Sequence, residues 1–280
     1  MQNIRPDPIE TADLLEYLKT DDFQFELEVF QLCLKGGDVA EHGGTYQDPV
    51  TKKDRQFDIR MRIAKNPFVL RLAIECKKLT RDFPLLVSRV PRRKEENFHD
   101  IIISRPTAVA SATQIVRVMG SGTLYQEKGF VGKSTVQVGK KTTGEMVVGD
   151  AQVYEKWSQA VSSAFDLIAR SADEYERTDR RAAAVVVLPM LVLPDKTLWT
   201  ADYSGEGQLM ADPKLADECT LFLGKSIFAG AVEDYKISHL HIFTKTKFDG
   251  FLDKVSVNDK YWTSIFPAEF SKEHFPRRAD

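Results

Sequence analysis

Three charged side chains carry the chemical promise of this chain: Asp58, Glu75 and Lys77. Two carboxylates and an ammonium on one sheet face can bind a metal ion and orient a water molecule. Residue types alone prove little, because roughly three Asp/Glu-x-Lys matches are expected by chance in a chain of this composition. Three occur, at Asp212-Pro213-Lys214, Asp234-Tyr235-Lys236 and Glu75-Cys76-Lys77. Context separates them. Asp212 sits in a Pro-containing loop and Asp234 has no acid-bearing strand before it, whereas Glu75 ends an apolar strand that follows Asp58 across a tight turn.

The segment that must position these groups is 55–77, RQFDIRMRIAKNPFVLRLAIECK. Phe57, Ile59, Met61 and Ile63 alternate with Gln56, Asp58, Arg60 and Arg62, the period of two of a strand with one buried face. Asn66-Pro67 marks a turn, and Leu70, Leu72, Ile74 and Cys76 then alternate with Arg71, Ala73, Glu75 and Lys77. Paired as a hairpin, these strands project Asp58, Glu75 and Lys77 from the polar face. Lys78 falls on the other face, and Cys76 reads as a packing residue rather than a nucleophile. The plain alternative is a solvent-facing Asp58 and Arg60, with Glu75 and Lys77 as a surface pair.

At 280 residues, with 42% hydrophobic and 29% charged residues, the chain can bury a sizeable core. It has no apolar run near the ~20 residues that cross a bilayer, so no membrane partner is expected. Its start, MQNIRPDPIETADLL, carries acids and prolines where a signal peptide has a basic start and an apolar run. Cys33, Cys76 and Cys219 are odd in number and far apart, which suits a reducing cytoplasm better than a disulfide framework or a zinc knuckle. The net charge of -2 is unevenly spread: residues 52–94 hold fourteen basic and four acidic residues, +10 locally against -12 elsewhere. That segment reads either as a solvated basic surface or as one that faces phosphates.

Along the rest of the chain, patterning predicts a helix over 7–20 capped by Asp7, with Leu14, Leu15 and Leu18 as its stripe. A second helix covers 22–35 and stops at Gly36-Gly37, and a strand covers 39–46. Residues 84–90 and 98–104 read as strands, 107–119 as a short helix, and the Gly-, Ser- and Lys-rich stretch up to 150 as an exposed hairpin or mobile loop. An amphipathic helix over 150–170 leads into 182–193, whose continuous apolar run fits a strand buried on both faces. Strands near 198–203 and 237–244 and a helix near 248–255 complete an α/β chain, read as a single domain over 1–280.

In this order the chain resembles the PD-(D/E)xK nuclease superfamily. The matching pieces are Phe25-Glu26-x-x-Val29, Arg55-x-x-Asp58 and Glu75-x-Lys77, followed by a helix and a buried strand; together they cover about two-thirds of the chain. The proline usual before the first acid is absent, Phe57 standing there. The resemblance implies a restriction-endonuclease-like mixed sheet core (αβββαβ) flanked by helices, with 79–149 as a large insertion after the third strand. It implies a Mg²⁺-dependent nuclease, Mn²⁺ substituting, most simply a DNA endonuclease in restriction, repair or anti-phage defence. RNA is the alternative substrate and a homodimer is compatible. Asp58, Glu75 and the Cys76 carbonyl would bind metal, Lys77 would orient the attacking water, and Glu26 would approach from its helix, with Glu28 as the alternative. Arg60, Arg62, Arg89, Arg92, Arg93 and Lys94 would contact nucleic acid. The rival reading keeps the same fold as a catalytically weak or inactive module for binding or complex formation.

Two further patterns carry no such weight. Gly132-Lys133-Ser134 ends like a phosphate-binding loop, but Glu127 stands where its first glycine belongs. His239 and His241 alternate as metal ligands can, without a third ligand nearby.

Overall fold

The computed structural model describes residues 8–37, 39–106, 111–120, 124–125, 129–149, 151–173, 183–229 and 232–275. Helices α1 (Thr11–Thr20) and α2 (Phe23–Gly36) precede the antiparallel strands β1 (Val39–Gln47), β2 (Asp54–Lys65) and β3 (Phe68–Cys76). Then come β4 (Leu85–Pro91), β5 (Phe98–Pro106), β6 (Ser111–Met119), β7 (Phe130–Lys140) and β8 (Met146–Gly149), before the long helix α3 (Ala151–Asp173). Strands β9 (Ala183–Leu193), β10 (Leu198–Asp202), β11 (Lys214–Leu215), β12 (Glu218–Ala229) and β13 (Val232–Thr244) follow. Helices α4 (Lys245–Val257), α5 (Asp259–Ile265) and α6 (Ala268–His274) end the described chain.

Among the described residues thirteen strands form one mixed sheet, whose main path runs β1-β2-β3-β9-β13-β12-β7-β4-β10-β11. The β2–β3 hairpin pairs Ile59 with Ile74 and Lys65 with Phe68 around a cis Asn66-Pro67 peptide. Strand β3 then lies parallel to β9, Phe68 opposite Ala184 and Cys76 opposite Val192, with α3 in the intervening chain. Every residue of β9 is buried, as a strand covered on both faces by other layers requires. Its far edge is shared: the first residues pair with β5 and the last with β13.

Two apolar clusters sandwich the sheet. On one face, Val153, Trp157, Ala160, Val161, Ala164 and Ile168 of α3 pack over Val69, Ala73, Leu191 and Ile242. On the other, Phe25, Val29 and Cys33 of α2 join Ile59, Leu72 and Cys76, with Phe248, Phe251 and Leu252 of α4 nearby. The result is a mixed α/β sheet flanked by helices, and no helix among the described residues is long and apolar enough to cross a membrane.

Several expectations need correction. Residues 111–119 form a strand, not a helix, because Ile115, Val116 and Val118 extend against β5 and pair with Ile102, Ile101 and His99; positions 107–110 lie outside the described residues. The hairpin expected before residue 150 is present as β7–β8, but β7 is no exposed excursion. It runs antiparallel to β4 and touches β12 inside the main sheet. Helix α1 buries none of its residues, so Leu14, Leu15 and Leu18 remain exposed. It is capped by Glu10 and Asp13 in reciprocal fashion, and Asp7 lies outside the described residues.

Candidate active site

The β2–β3 register decides where the first two carboxylates meet. With Ile59 opposite Ile74, Asp58 and Glu75 come side by side on the face that α3 covers. The Asp58 amide donates to Glu75 Oε1 at 3.4 Å and the Cys76 amide donates to Asp58 Oδ2 at 2.8 Å. Helix α2 supplies the third carboxylate: its buried stripe of Phe25, Val29 and Cys33 fixes its rotation, which sends Glu26, in the first turn, toward the end of the hairpin. Glu28 points elsewhere and pairs with Lys245 at 2.7 Å. The open choice between the two glutamates thus falls to Glu26 on geometry.

The cation at the centre of this group is Lys156, on α3. Its Nζ stands 2.9 Å and 3.1 Å from the two Asp58 oxygens, 3.6 Å from Glu26 Oε1 and 3.8 Å from Glu75 Oε2. The neighbouring Val153, Trp157 and Ala160 anchor the helix in the apolar cluster, which leaves Lys156 at the stripe's margin, above Asp58. Sequence reading missed it. The one available signal was its place early in a strongly amphipathic helix that leads into the buried strand.

Electrostatics make the site unusual. Burial, with Asp58 and Asp22 close by, pushes the Glu26 carboxyl up to about 7 despite Lys156. Glu75 is only 1% exposed, and burial followed by the charge of Asp58 raises its pKa well above the carboxylate range. Its Oε2 is a buried oxygen with no hydrogen-bond partner, a costly condition for a polar atom. Burial disfavours the Lys156 ammonium, yet the surrounding carboxylates outweigh that effect and raise its pKa. Three acids crowd one lysine, so the site can accept further positive charge, either a proton or a cation.

Lys77, expected in the site, turns aside: its ammonium pairs with Asp22 at 2.8 Å, at the start of α2. The physical reason is that Lys77 lies just past the end of β3, where Asp22 also accepts the Lys78 amide at 2.7 Å. Lys78 itself reaches the Lys19 carbonyl. The Cys76 thiol is fully buried in the apolar cluster beneath α2, and burial pushes its pKa far up.

The basic residues expected on nucleic acid do not form one surface. Arg60 is 5% exposed, ion-paired to Asp166 at 2.8 Å and bonded to Ser163 at 3.0 Å under α3. Its guanidinium also stacks on Tyr46 and Phe57. That corrects the expectation that it faces phosphate. Arg62 lines a cavity of about 180 Å³ with Arg60, Arg71 and Arg170. Arg89 makes a bidentate pair with Asp202 at 2.7 Å and 2.9 Å. Arg92 is half-buried and donates to Thr220 at 3.1 Å. Arg93 and Lys94 are exposed, although Arg93 leans on Glu96 at 2.9 Å. Gly132-Lys133-Ser134 lies within strand β7, which is not the strand-to-helix turn of a phosphate loop.

Among the described residues no three His, Cys, Asp or Glu side chains are spaced as ligands of one metal ion. Mg²⁺ is commonly held by one or two carboxylates plus water, and the Asp58–Glu75 pair, whose buried Oε2 makes no hydrogen bond, fits that smaller demand. Comparison with protein-family models, with curated proteins and with solved structures found no match to this chain.

Proposed function

We propose that this chain is a Mg²⁺-dependent nuclease of restriction-endonuclease-like architecture (αβββαβ) that hydrolyses phosphodiester bonds, with DNA as its substrate. One observation carries the reading. Glu26, Asp58 and Glu75, from three different elements, converge on a single lysine, and the buried Glu75 Oε2 is left with that ammonium at 3.8 Å and no hydrogen-bond partner. Such a gathering is expensive in stability, and strained electrostatics of this kind cluster at functional sites. The order of helix, three antiparallel strands, helix and parallel strand also supports the reading; the fold assignment itself rests on that order.

In this reading Asp58 and Glu75, with the Cys76 carbonyl, would hold Mg²⁺ or Mn²⁺. Such an ion would supply Lewis acidity at the phosphoryl oxygen. Lys156, rather than Lys77, orients the attacking water and offsets the charge that builds on the phosphate. Glu26, poised near 7, takes up a proton from that water at neutral pH. Exposed Arg93 and Lys94 are the remaining candidates for phosphate contact from the expected set. The test uses supercoiled plasmid, single-stranded DNA and RNA, each with and without Mg²⁺. Metal-dependent cleavage that is lost in Glu75→Gln and in Asp58→Asn, with the fold kept by circular dichroism, is the expected result; undiminished cleavage by both variants overturns the proposal.

A second reading has its own support. Lys156 bonds both oxygens of Asp58 and could serve as a permanent internal counterion in an inactive, nucleic-acid-binding relative. Calorimetric titration separates the two: Mg²⁺ binding that Asp58→Asn removes favours the enzyme, and DNA binding with no Mg²⁺ uptake favours the module.

A further inference from the structure

A second cavity lies on the opposite face of the sheet from the carboxylate cluster. Glu75 is opposite Leu191 on β9, and Leu191 is opposite Ile242 on β13. Side chains alternate along a strand, so His241 and Phe243 point to the other face, where they line a cavity of about 420 Å³. That size suits a small molecule, since ligand pockets run from about 300 to 1,000 Å³.

Two kinds of group meet there. Aromatic walls come from Tyr125, Phe243, Phe251 and Tyr261, with the Phe251 and Tyr261 rings edge-on at 5.7 Å. Cations come from Arg92, Lys247 and Lys254, and among the described lining residues the only carboxylate is Glu218, 3.1 Å from Lys247. Lys247, Phe251 and Lys254 recur at i, i+4 and i+7 on α4, so one helix face presents ammonium, ring, ammonium to the cavity. At the inner end the His241 ring bonds the Tyr125 hydroxyl at 2.7 Å, and Tyr125 stacks on His239 at 3.8 Å. Behind it His239, 1% exposed, has two ring nitrogens with no hydrogen-bond partner. Burial holds the His241 pKa down to about 3, so its ring is neutral at working pH and meets a ligand as a dipole rather than a charge.

We propose that this cavity binds a nucleotide: a flat aromatic base against the rings, and a phosphate at the Lys247–Lys254 mouth. The occupant's chemistry follows from the lining. An aromatic slot by itself takes any flat apolar ring, and a basic rim by itself takes any anion; their juxtaposition within one mononucleotide-sized space selects a molecule that carries both. Stacking on aromatic side chains holds a base whatever its identity, and the cations favour the phosphate over the neutral nucleoside. The site stands apart from the nuclease reading, whose Asp58, Glu75 and Lys156 lie on the face that α3 covers.

Isothermal titration of the full chain with the four nucleoside 5′-monophosphates, in EDTA so that no metal bridges a nucleotide to the carboxylates, tests it. At least one nucleotide should bind, with its nucleoside and inorganic phosphate each at least tenfold weaker. The Lys247→Gln/Lys254→Glu double variant should lose at least tenfold in affinity, and Lys254→Glu alone, at an exposed position, a smaller share. Glu75→Gln should bind as the parent does. Absence of binding by all four nucleotides, affinity within twofold of the parent in the double variant, or loss of binding in Glu75→Gln overturns the proposal.

Discussion

Replacing Glu26 with glutamine should make the protein more stable at pH 8 and change it little at pH 4. The carboxyl's ordinary value is 4.5, and burial beside Asp58 and Asp22 lifts it to about 7. Between those two values the folded chain holds a proton on Glu26 that the unfolded chain has released. Stability therefore falls as pH rises through that window and stays lowered above it. At about 1.4 kcal/mol per pH unit, the gap amounts to about 3 kcal/mol, a sizeable part of the 5–15 kcal/mol that typical domains possess. Glutamine resembles the protonated acid and escapes this loss. Urea unfolding of both proteins at intervals from pH 4 to 8.5, in EDTA, should show curves whose separation grows from pH 4.5 to 7 and then levels near 3 kcal/mol. A separation that stays constant within about 0.5 kcal/mol, or that shrinks as pH rises, refutes the electrostatic account of the site.

Other outcomes follow from the same geometry. Lys156→Met should lower the plasmid cleavage rate by about 10²-fold or more, in the range of a lost electrostatic stabiliser, whereas Lys77→Met should cost less than tenfold; the reverse order restores Lys77 to the role the sequence suggested. Asp166→Ala should destabilise the fold by about 3–5 kcal/mol, because it strands a buried guanidinium; a loss below about 1 kcal/mol in urea melts shows that Arg60 is satisfied without it. If Lys94 touches a phosphate, Lys94→Ala should weaken DNA binding regardless of sequence and reduce the salt-dependence slope by about one, as read from fluorescence anisotropy at several salt concentrations.

The central hairpin was readable because each half repeats with period two and Asn66-Pro67 separates them; its register then brings Asp58 and Glu75 together. Strand β9 announced itself as an uninterrupted apolar run, and α3 as an apolar stripe. Lys156 was not readable, since a lysine at the edge of such a stripe looks like any solvated helix residue. Only the packing of α3 across β2 turns it inward, and that contact spans 98 residues. Proximity in sequence favoured Lys77, which tertiary structure gives to Asp22 instead. The basic run at 52–94 misled for a related reason: charge counts do not show that Arg60 and Arg89 each face a carboxylate from a distant segment. Strand β6 was lost because Ile115, Val116 and Val118 sit amid polar residues, and its extended state depends on pairing with β5.

Helix α3 is tied to β2 at two points, Lys156 to Asp58 and Asp166 to Arg60, both from the same strand face. The two ties differ in kind. The second is a buried guanidinium–carboxylate pair whose guanidinium lies over the Tyr46 and Phe57 rings, a rivet largely shielded from solvent. The first is a latch, because any cation that takes up Asp58 and Glu75 competes with the Lys156 ammonium for the same oxygens. Ligand entry would then leave the first turns of α3 held by the apolar contacts of Val153 and Trp157, while the later turns keep their ion pair, so the helix would answer occupancy by loosening at one end instead of sliding as a rod. Amide exchange at residues 153–157 should accelerate on metal addition while that at 163–167 holds steady, which converts a static pair of contacts into a directional readout of site occupancy.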